Sequence, residues 1–337
     1  MNRLGIGSAA AHNNSLQRIR NSGFDATNCG LKRDGFARVR AKDLTMSPER
    51  EMLPPGVFSN GFHTLRHGLF DITVLSDGYI MLPGEILMPD ARSGERVDTL
   101  GRLGGDSDSA PLQTNVPLIR KGRDIILVDT GAGANFQPTD GRLVANLHFI
   151  GADPASITKV VFTHAHPDHS GGTTRPDGSL LFPNAHYYVS EAEWAFWMNP
   201  EYETAMPKAL HEFARGAQRD LFAVDGRLSL VKPGDEIVSG MSVVSTRGHT
   251  PGHISLELAG DGNLLIAGDV IPNNIISFEN PAWHFGFDTE PEIALANRAG
   301  LLDKAANEKL RVLGYHWTYP GVGYVDRYGS AYKFVEG

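Results

Sequence analysis

Six consecutive residues constrain this chain more than any other feature: His164-Ala165-His166-Pro167-Asp168-His169. They follow an apolar, strand-like run, Val160-Val161-Phe162, so the group stands where a strand gives way to a loop. In extended or turning backbone the side chains at i and i+2 point the same way, which lets His164 and His166 grip one ion. Asp168 and His169 lie past the turn that Pro167 promotes and can address a second ion nearby. Imidazole with carboxylate suits zinc, iron, manganese or cobalt, with zinc the default on abundance. A solitary histidine is usually structural, but three histidines and an aspartate in six residues point to a metal centre.

Four donors on one loop do not complete two coordination shells. Candidates for the remainder stand at three other strand ends. Arg247-Gly248-His249-Thr250-Pro251-Gly252-His253 follows the apolar stretch 241–246, Gly268-Asp269 follows 264–267, and Tyr315-His316-Trp317 follows 311–313. Groups at strand ends converge when their strands share sheets. A carboxylate such as Asp269 can bridge two cations, and two cations a few Å apart hold a hydroxide between them. Cys29 is the only cysteine in the 337 residues, so neither an intramolecular disulfide nor a thiolate cluster is available, and imidazole and carboxylate must supply the ligands.

The net charge of −8 disfavours nucleic acid and anionic membranes as partners. No run approaches the ~20 apolar residues of a membrane span. The opening Gly/Ala-rich patch is too short for a secretory signal before His12, Asn13 and Asn14, so the expectation is a cytoplasmic protein, with export the alternative if the true start differs. Residues 1–60 read as a basic arm, flexible or draped on the surface. Within 1–50 there are nine Lys/Arg against four Asp/Glu, a local +5 that leaves −13 on the rest. A role for this arm in wrapping a homodimer is the alternative.

Beyond the arm, 61–337 reads as one catalytic domain. Phe70–Leu75 alternates, Ser76-Asp77-Gly78 signals a turn, and Tyr79–Leu82 returns, which predicts a hairpin. Residues 83–115, rich in Gly, Asp, Ser and Pro, predict a long loop. Apolar strands are expected at 116–119, 125–128, 160–162, 186–189, 241–244, 254–258 and 264–267. Ser190-Glu191-Ala192-Glu193 is a capping box that opens a helix through Trp194 and Trp197, and further helices are expected near 207–222 and 290–307. Strand-rich portions at 68–190 and 230–325 flank a helical middle, which suggests two sheets packed face to face with helices outside.

The run His164 to His169 followed by Ser170-Gly171-Gly172 resembles the H-x-H-x-D-H signature of the metallo-β-lactamase superfamily. Leu127-Val128-Asp129-Thr130-Gly131 upstream, Gly248 to His253 and Ala267-Gly268-Asp269 downstream, and the late His316 keep the superfamily's order. Within it, Phe70 to Gly78, Asp140 to Leu147 and Tyr319-Pro320-Gly321-Val322-Gly323 look most like the methyl parathion hydrolase group. The resemblance implies an α/β fold, the four-layer αββα sandwich. It implies two divalent metal ions, zinc by default, one on His164, His166 and His249 and the other on Asp168, His169 and His316, with Asp269 bridging.

It further implies a hydrolase in which a metal-bridging hydroxide attacks ester-like bonds, with Asp269 and Asp168 catalytic. The expected partners are small uncharged ester-like substrates, phosphotriesters or lactones. A β-lactamase or a hydrolytic dehalogenase of chlorinated aromatics on the same fold are the alternatives. Asp129 is expected to orient a ligand imidazole and His253 to stiffen the Thr-Pro-Gly turn. Phe136, Trp197 and Trp317 are the candidates for an apolar substrate pocket.

Overall fold

A computed structural model describes residues 61–337, so the arm expected over 1–60 lies outside the described residues. Strands β1 (Phe62–His67), β2 (Phe70–Pro83), β3 (Ser109–Lys121), β4 (Asp124–Val128), β5 (Lys159–Val161), β6 (His186–Ser190) and β7 (Leu228–Val231) form one seven-stranded sheet in that order. The second sheet holds β8 (Glu236–Val238), β9 (Met241–Ser245), β10 (Ile254–Gly260), β11 (Gly262–Gly268), β12 (Arg311–Gly314), β13 (Val322–Tyr328) and β14 (Ala331–Glu336). Most neighbours pair antiparallel. The exceptions are β4 to β7 and the pair β11–β12, which run parallel.

The sheets meet through one apolar layer. Phe70, Ile72, Val74, Ile119, Ile126, Val128 and Val161 from the first pack with Met241, Val243, Ile254, Leu256, Leu258, Leu264 and Ile266 from the second. Inward positions alternate along each strand, as a two-layer core demands. Helices cover the outer faces. Helix α9 (Pro291–Glu308) lays Leu301, Leu302, Ala305 and Ala306 on the outer face of the second sheet. Helices α3 (Leu143–Phe149), α5 (Glu191–Trp197) and α7 (His211–Val224) belong to the first half of the domain. The architecture is the expected αββα sandwich.

Two local expectations give way. Ser76-Asp77-Gly78 is not a hairpin turn, because β2 continues through it with a bulge between Ser76 and Gly78 against β3. The bulge turns the Asp77 carboxylate onto the loop after β4, where it accepts Ala132 N (2.8 Å), Leu143 N (2.7 Å) and Gly141 N (3.2 Å). Gly78 sits at φ +118°, and a Cβ there would come within 2.1 Å of Thr139 O, so the position requires glycine. Nor is 83–115 a loop: it contains α1 (Gly84–Leu87), α2 (Ser93–Arg102) and the first half of β3. Leu87, Met88, Leu100 and Leu103 bury there against Ile80, Leu82 and Leu112. Sparse apolar anchors among polar residues hid these elements from periodicity. The remaining helices are α4 (Pro167–Ser170), α6 (Tyr202–Ala205) and α8 (Ile276–Glu279).

Candidate metal centre

The segments after β5, β9, β11 and β12 meet in a common region, as strand ends in layered α/β folds commonly do. The segment after β5 carries His164, His166, Asp168 and His169, with Pro167 opening α4. The others carry His249, Asp269 and His316. All seven are buried.

Three imidazoles converge first. His166 Nδ1 lies 3.0 Å from His164 Nε2 and 2.9 Å from His249 Nε2. The outer nitrogens of the flanking rings are engaged elsewhere: His249 Nδ1 donates to Asp288 Oδ1 (3.1 Å), and His164 Nδ1 meets the Thr163 hydroxyl (3.1 Å). The inner nitrogens therefore present lone pairs to one another, and a single hydrogen cannot satisfy all three. A tetrahedral cation at about 2.0–2.1 Å from each would resolve this, holding the nitrogens roughly 3.3 Å apart. Burial, reinforced by the neighbouring imidazoles, holds the pKa of His164 and His166 well below the usual histidine range, so both stay neutral.

The second cluster is rich in carboxylate. His316 Nε2 lies 3.1 Å from Asp168 Oδ2 and 3.3 Å from Asp269 Oδ2, and His169 Nε2 lies 3.6 Å from Asp168 Oδ2 and 3.4 Å from Asp269 Oδ1. Asp269 Oδ2 also reaches 3.5 Å from His249 Nε2, so this one carboxylate faces both clusters. His169 Nε2 and Asp269 Oδ1 are buried without a hydrogen-bond partner. Orphaned buried groups of this kind demand an explanation, and a cation between them supplies one. Burial works against charging His169 and His316, yet the surrounding carboxylates overcome it and raise both, His316 to about 10. The residues present fit two divalent ions.

Supporting contacts hold four of the five candidate ligand imidazoles; the exception is His166, whose Nε2 is buried without a hydrogen-bond partner. Asp129 Oδ2 accepts from His169 Nδ1 (2.8 Å), and its carboxylate also takes Thr163 N (2.7 Å) and Thr163 Oγ1 (2.8 Å). His316 Nδ1 donates to Gln113 O at 2.9 Å. His253 does not act on the Thr-Pro-Gly turn alone: its Nε2 accepts Asp269 N (2.9 Å), while Nδ1 meets Thr246 Oγ1 (2.8 Å). Burial lowers the His253 pKa to about 3, which keeps it neutral for that acceptor role. Tyr315 stacks on His169 at 3.9 Å between ring centroids and donates its hydroxyl to Asp168 O (2.8 Å).

A cavity opens onto the centre beside His166, Asp168, His249, Asp269 and His316. Its remaining walls are Ile80, Leu82, Phe136, Pro167, Phe213, Phe285 and Phe287, with no lysine or arginine. Phe136 lines this cavity, and Trp197 and Trp317 do not. Trp317 is fully buried against Phe278 and Phe334 and donates Nε1 to Ile271 O (2.8 Å), so it belongs to the core under α9. Trp197 is also fully buried, with Nε1 on Glu193 Oε1 (2.6 Å), and packs behind His166 instead of lining the cavity. Proximity in sequence to a ligand did not imply exposure to the pocket.

Phe213 and Phe287 went unnamed because helical or loop aromatics carry no positional signature. Asp288 and Arg298 were also missed: Arg298 Nη2 pairs with Asp288 Oδ2 (2.8 Å), whose other oxygen takes His249. Glu193 was read only as part of a capping box. Its Ser190 partner does cap α5, accepting Glu193 N (3.1 Å), but the glutamate side chain turns inward.

A sequence profile of the metallo-beta-lactamase superfamily matches residues 109–316. The chain belongs to the metallo-β-lactamase superfamily. Metallo-beta-lactamase domain-containing protein 1 of Xenopus laevis is 31% identical over 205 residues, covering 60% of this chain and 71% of that protein. An N-acyl homoserine lactonase of a Bacillus species is 29% identical over 177 residues, 50% of this chain and 60% of the lactonase, less than two thirds of its length. Among solved structures, the dizinc quorum-quenching lactonase AidC in complex with a product aligns with TM-score 0.76 at 28% identity, over 82% of this chain and 97% of that one. The hydrolase AbOPH of the beta lactamase superfamily aligns with TM-score 0.77 at 26% identity, over 82% and 98%. The protein is a metal-dependent hydrolase of this superfamily, with lactonase homologues and metal-binding His/Asp clusters. No described helix is long and apolar enough to cross a membrane.

Proposed function

We propose that this chain is a lactonase that opens small uncharged lactones, with uncharged phosphotriesters as secondary substrates. The observation that carries the reading is the cavity wall, which is apolar and aromatic and holds no lysine or arginine beside the two ligand clusters. Such a wall favours an uncharged acyl chain or aryl group. A β-lactam brings a carboxylate that finds no lysine or arginine on this lining. Similarity to the Bacillus lactonase and to AidC supports the same choice. Phosphotriesters stay second because they share the neutrality but not that support.

His164, His166 and His249 would hold one zinc ion, and Asp168, His169 and His316 the other, with Asp269 between them. When bound, the two ions supply Lewis acidity and lower the pKa of water enough for a nucleophile to exist near neutrality. The chain's own residues do the rest. Phe136, Phe213, Phe285 and Phe287 exclude water and seat the apolar part of the substrate. Asp269, ionised and facing both clusters, orients the attacking water. Water oxygen bonds to the carbonyl carbon and the ring acyl C–O bond breaks. One water proton ends on the leaving alkoxide, and the other is released as the product carboxyl ionises.

The test is metal analysis of the purified chain with one panel: an acyl-homoserine lactone, an aryl phosphotriester, an aryl carboxylate ester and a β-lactam. Two metals per chain and a kcat/KM for the lactone about 100-fold or more above the others support the reading. A preference for the phosphotriester or the β-lactam refutes it.

A further inference from the structure

We propose that Glu193 is a positioning residue that sets the three-imidazole half of the centre by tying together the two loops that carry it. The assignment rests on the metal-centre reading above. Glu193 lies in the first turn of α5 and has no exposed surface. Its Oε1 accepts Ala165 N (2.9 Å), the peptide between His164 and His166, and Trp197 Nε1 (2.6 Å). Its Oε2 accepts Thr250 Oγ1 (2.6 Å) and Gly252 N (3.2 Å), just beyond His249. One carboxylate therefore binds the backbone of both ligand loops and the indole behind His166. That indole meets the His166 ring edge-on with centroids 5.7 Å apart.

The surrounding packing leaves the His249 loop little freedom. Ser190 Oγ donates to Gly252 O at 2.5 Å, so α5 grips that residue through both its N–H and its carbonyl. A Cβ on Gly252 would come within 1.9 Å of Glu193 N, which shows how closely the loop is seated on the helix. A capping-box glutamate ordinarily turns back to the N-cap amide. Here it is buried, at the cost that a desolvated carboxylate carries, and four donors converge on its two oxygens. Those donors are what a charge in this place requires. An amide would substitute a donor for one acceptor and set it against the N–H of Ala165 or Gly252.

The experiment compares wild type, Glu193→Gln and Thr250→Val in the full-length chain. Zinc affinity is measured by competition with a chromophoric chelator, and site geometry by the visible spectrum of the cobalt-substituted protein. Loss of a group that orients ligands typically weakens metal binding about 10–100-fold. The expected result for Glu193→Gln is that one of two metal equivalents weakens by that factor, with an altered cobalt spectrum. Its kcat falls at limiting zinc and recovers at excess, while KM is unchanged. Thr250→Val, which removes one of the four donors, shifts the same equivalent by a smaller factor, and decides the matter alone if Glu193→Gln does not fold. A variant of lowered melting temperature that keeps wild-type affinity for both equivalents and an unchanged spectrum overturns the assignment. A wild-type chain that binds no metal overturns the centre itself.

Discussion

Arg298 offers the sharpest quantitative test of how the His249 side of the centre is supported. It is 1% exposed, and its guanidinium makes three bonds from α9: Nε to Val270 O (2.8 Å), Nη1 to Trp283 O (3.2 Å) and Nη2 to Asp288 Oδ2 (2.8 Å). Arg298→Met keeps an apolar stem of similar length but leaves a fully buried carboxylate beside His249 without its cation. Removing one partner of a buried pair costs about 3–5 kcal/mol, because the remaining charge stays desolvated. Two carbonyls lose a donor as well, so the upper part of that range applies. Against a total stability of about 5–15 kcal/mol this is a large share, equivalent to ~10 °C in melting temperature. The assay is urea unfolding at fixed free zinc, read as a shift in midpoint at constant m-value. The double variant Arg298→Met/Asp288→Asn removes the unpaired charge and loses less than the two single variants combined. A single-variant loss below about 1 kcal/mol, or strict additivity in the double, refutes the reasoning.

Asp140 is pushed up to about 9, first by burial and then by Asp77 and Asp168. Its folded pKa thus exceeds its unfolded value near 3.9, so its contribution to stability is complete below about pH 4 and declines as pH rises towards 9. In chelator-treated protein, Asp140→Asn removes part of that decline, at most about 1.4 kcal/mol per pH unit; parallel urea-stability profiles for variant and wild type would refute this. Phe213→Ala opens the cavity wall beside His166 and Phe287. Losing about 1.5 kcal/mol of apolar burial raises KM for a long-chain lactone about tenfold at nearly constant kcat. Trp317→Ala acts on the core instead, lowering stability by about 3–5 kcal/mol while KM moves less than about twofold.

The seven candidate ligands stand out in the sequence because they are rare, polar and clustered at strand ends, and four of the seven sit within six positions. The layered architecture was legible for a related reason: buried strands such as β4 and β11 are short apolar runs that periodicity detects. What escaped detection depended on distant partners. Asp77 looks like a turn residue until the loop after β4 is placed upon it. Glu193 satisfied a local capping pattern while its side chain answered to donors as far as 59 residues away. Trp197 and Trp317 showed the opposite error, since their size made them conspicuous and packing then took both into the interior.

The two sheets are also two consecutive stretches of chain, 62–231 and 236–336, joined by one short turn. His164, His166, Asp168 and His169 belong to the first stretch, and His249, Asp269 and His316 to the second. Neither stretch alone holds a full set for either ion. Each cation would therefore act as a cross-link between two fragments, so that severing the turn at Lys232–Asp235 converts metal binding into an assembly reaction. Metal would then strengthen an association of the halves that the apolar layer between the sheets already favours.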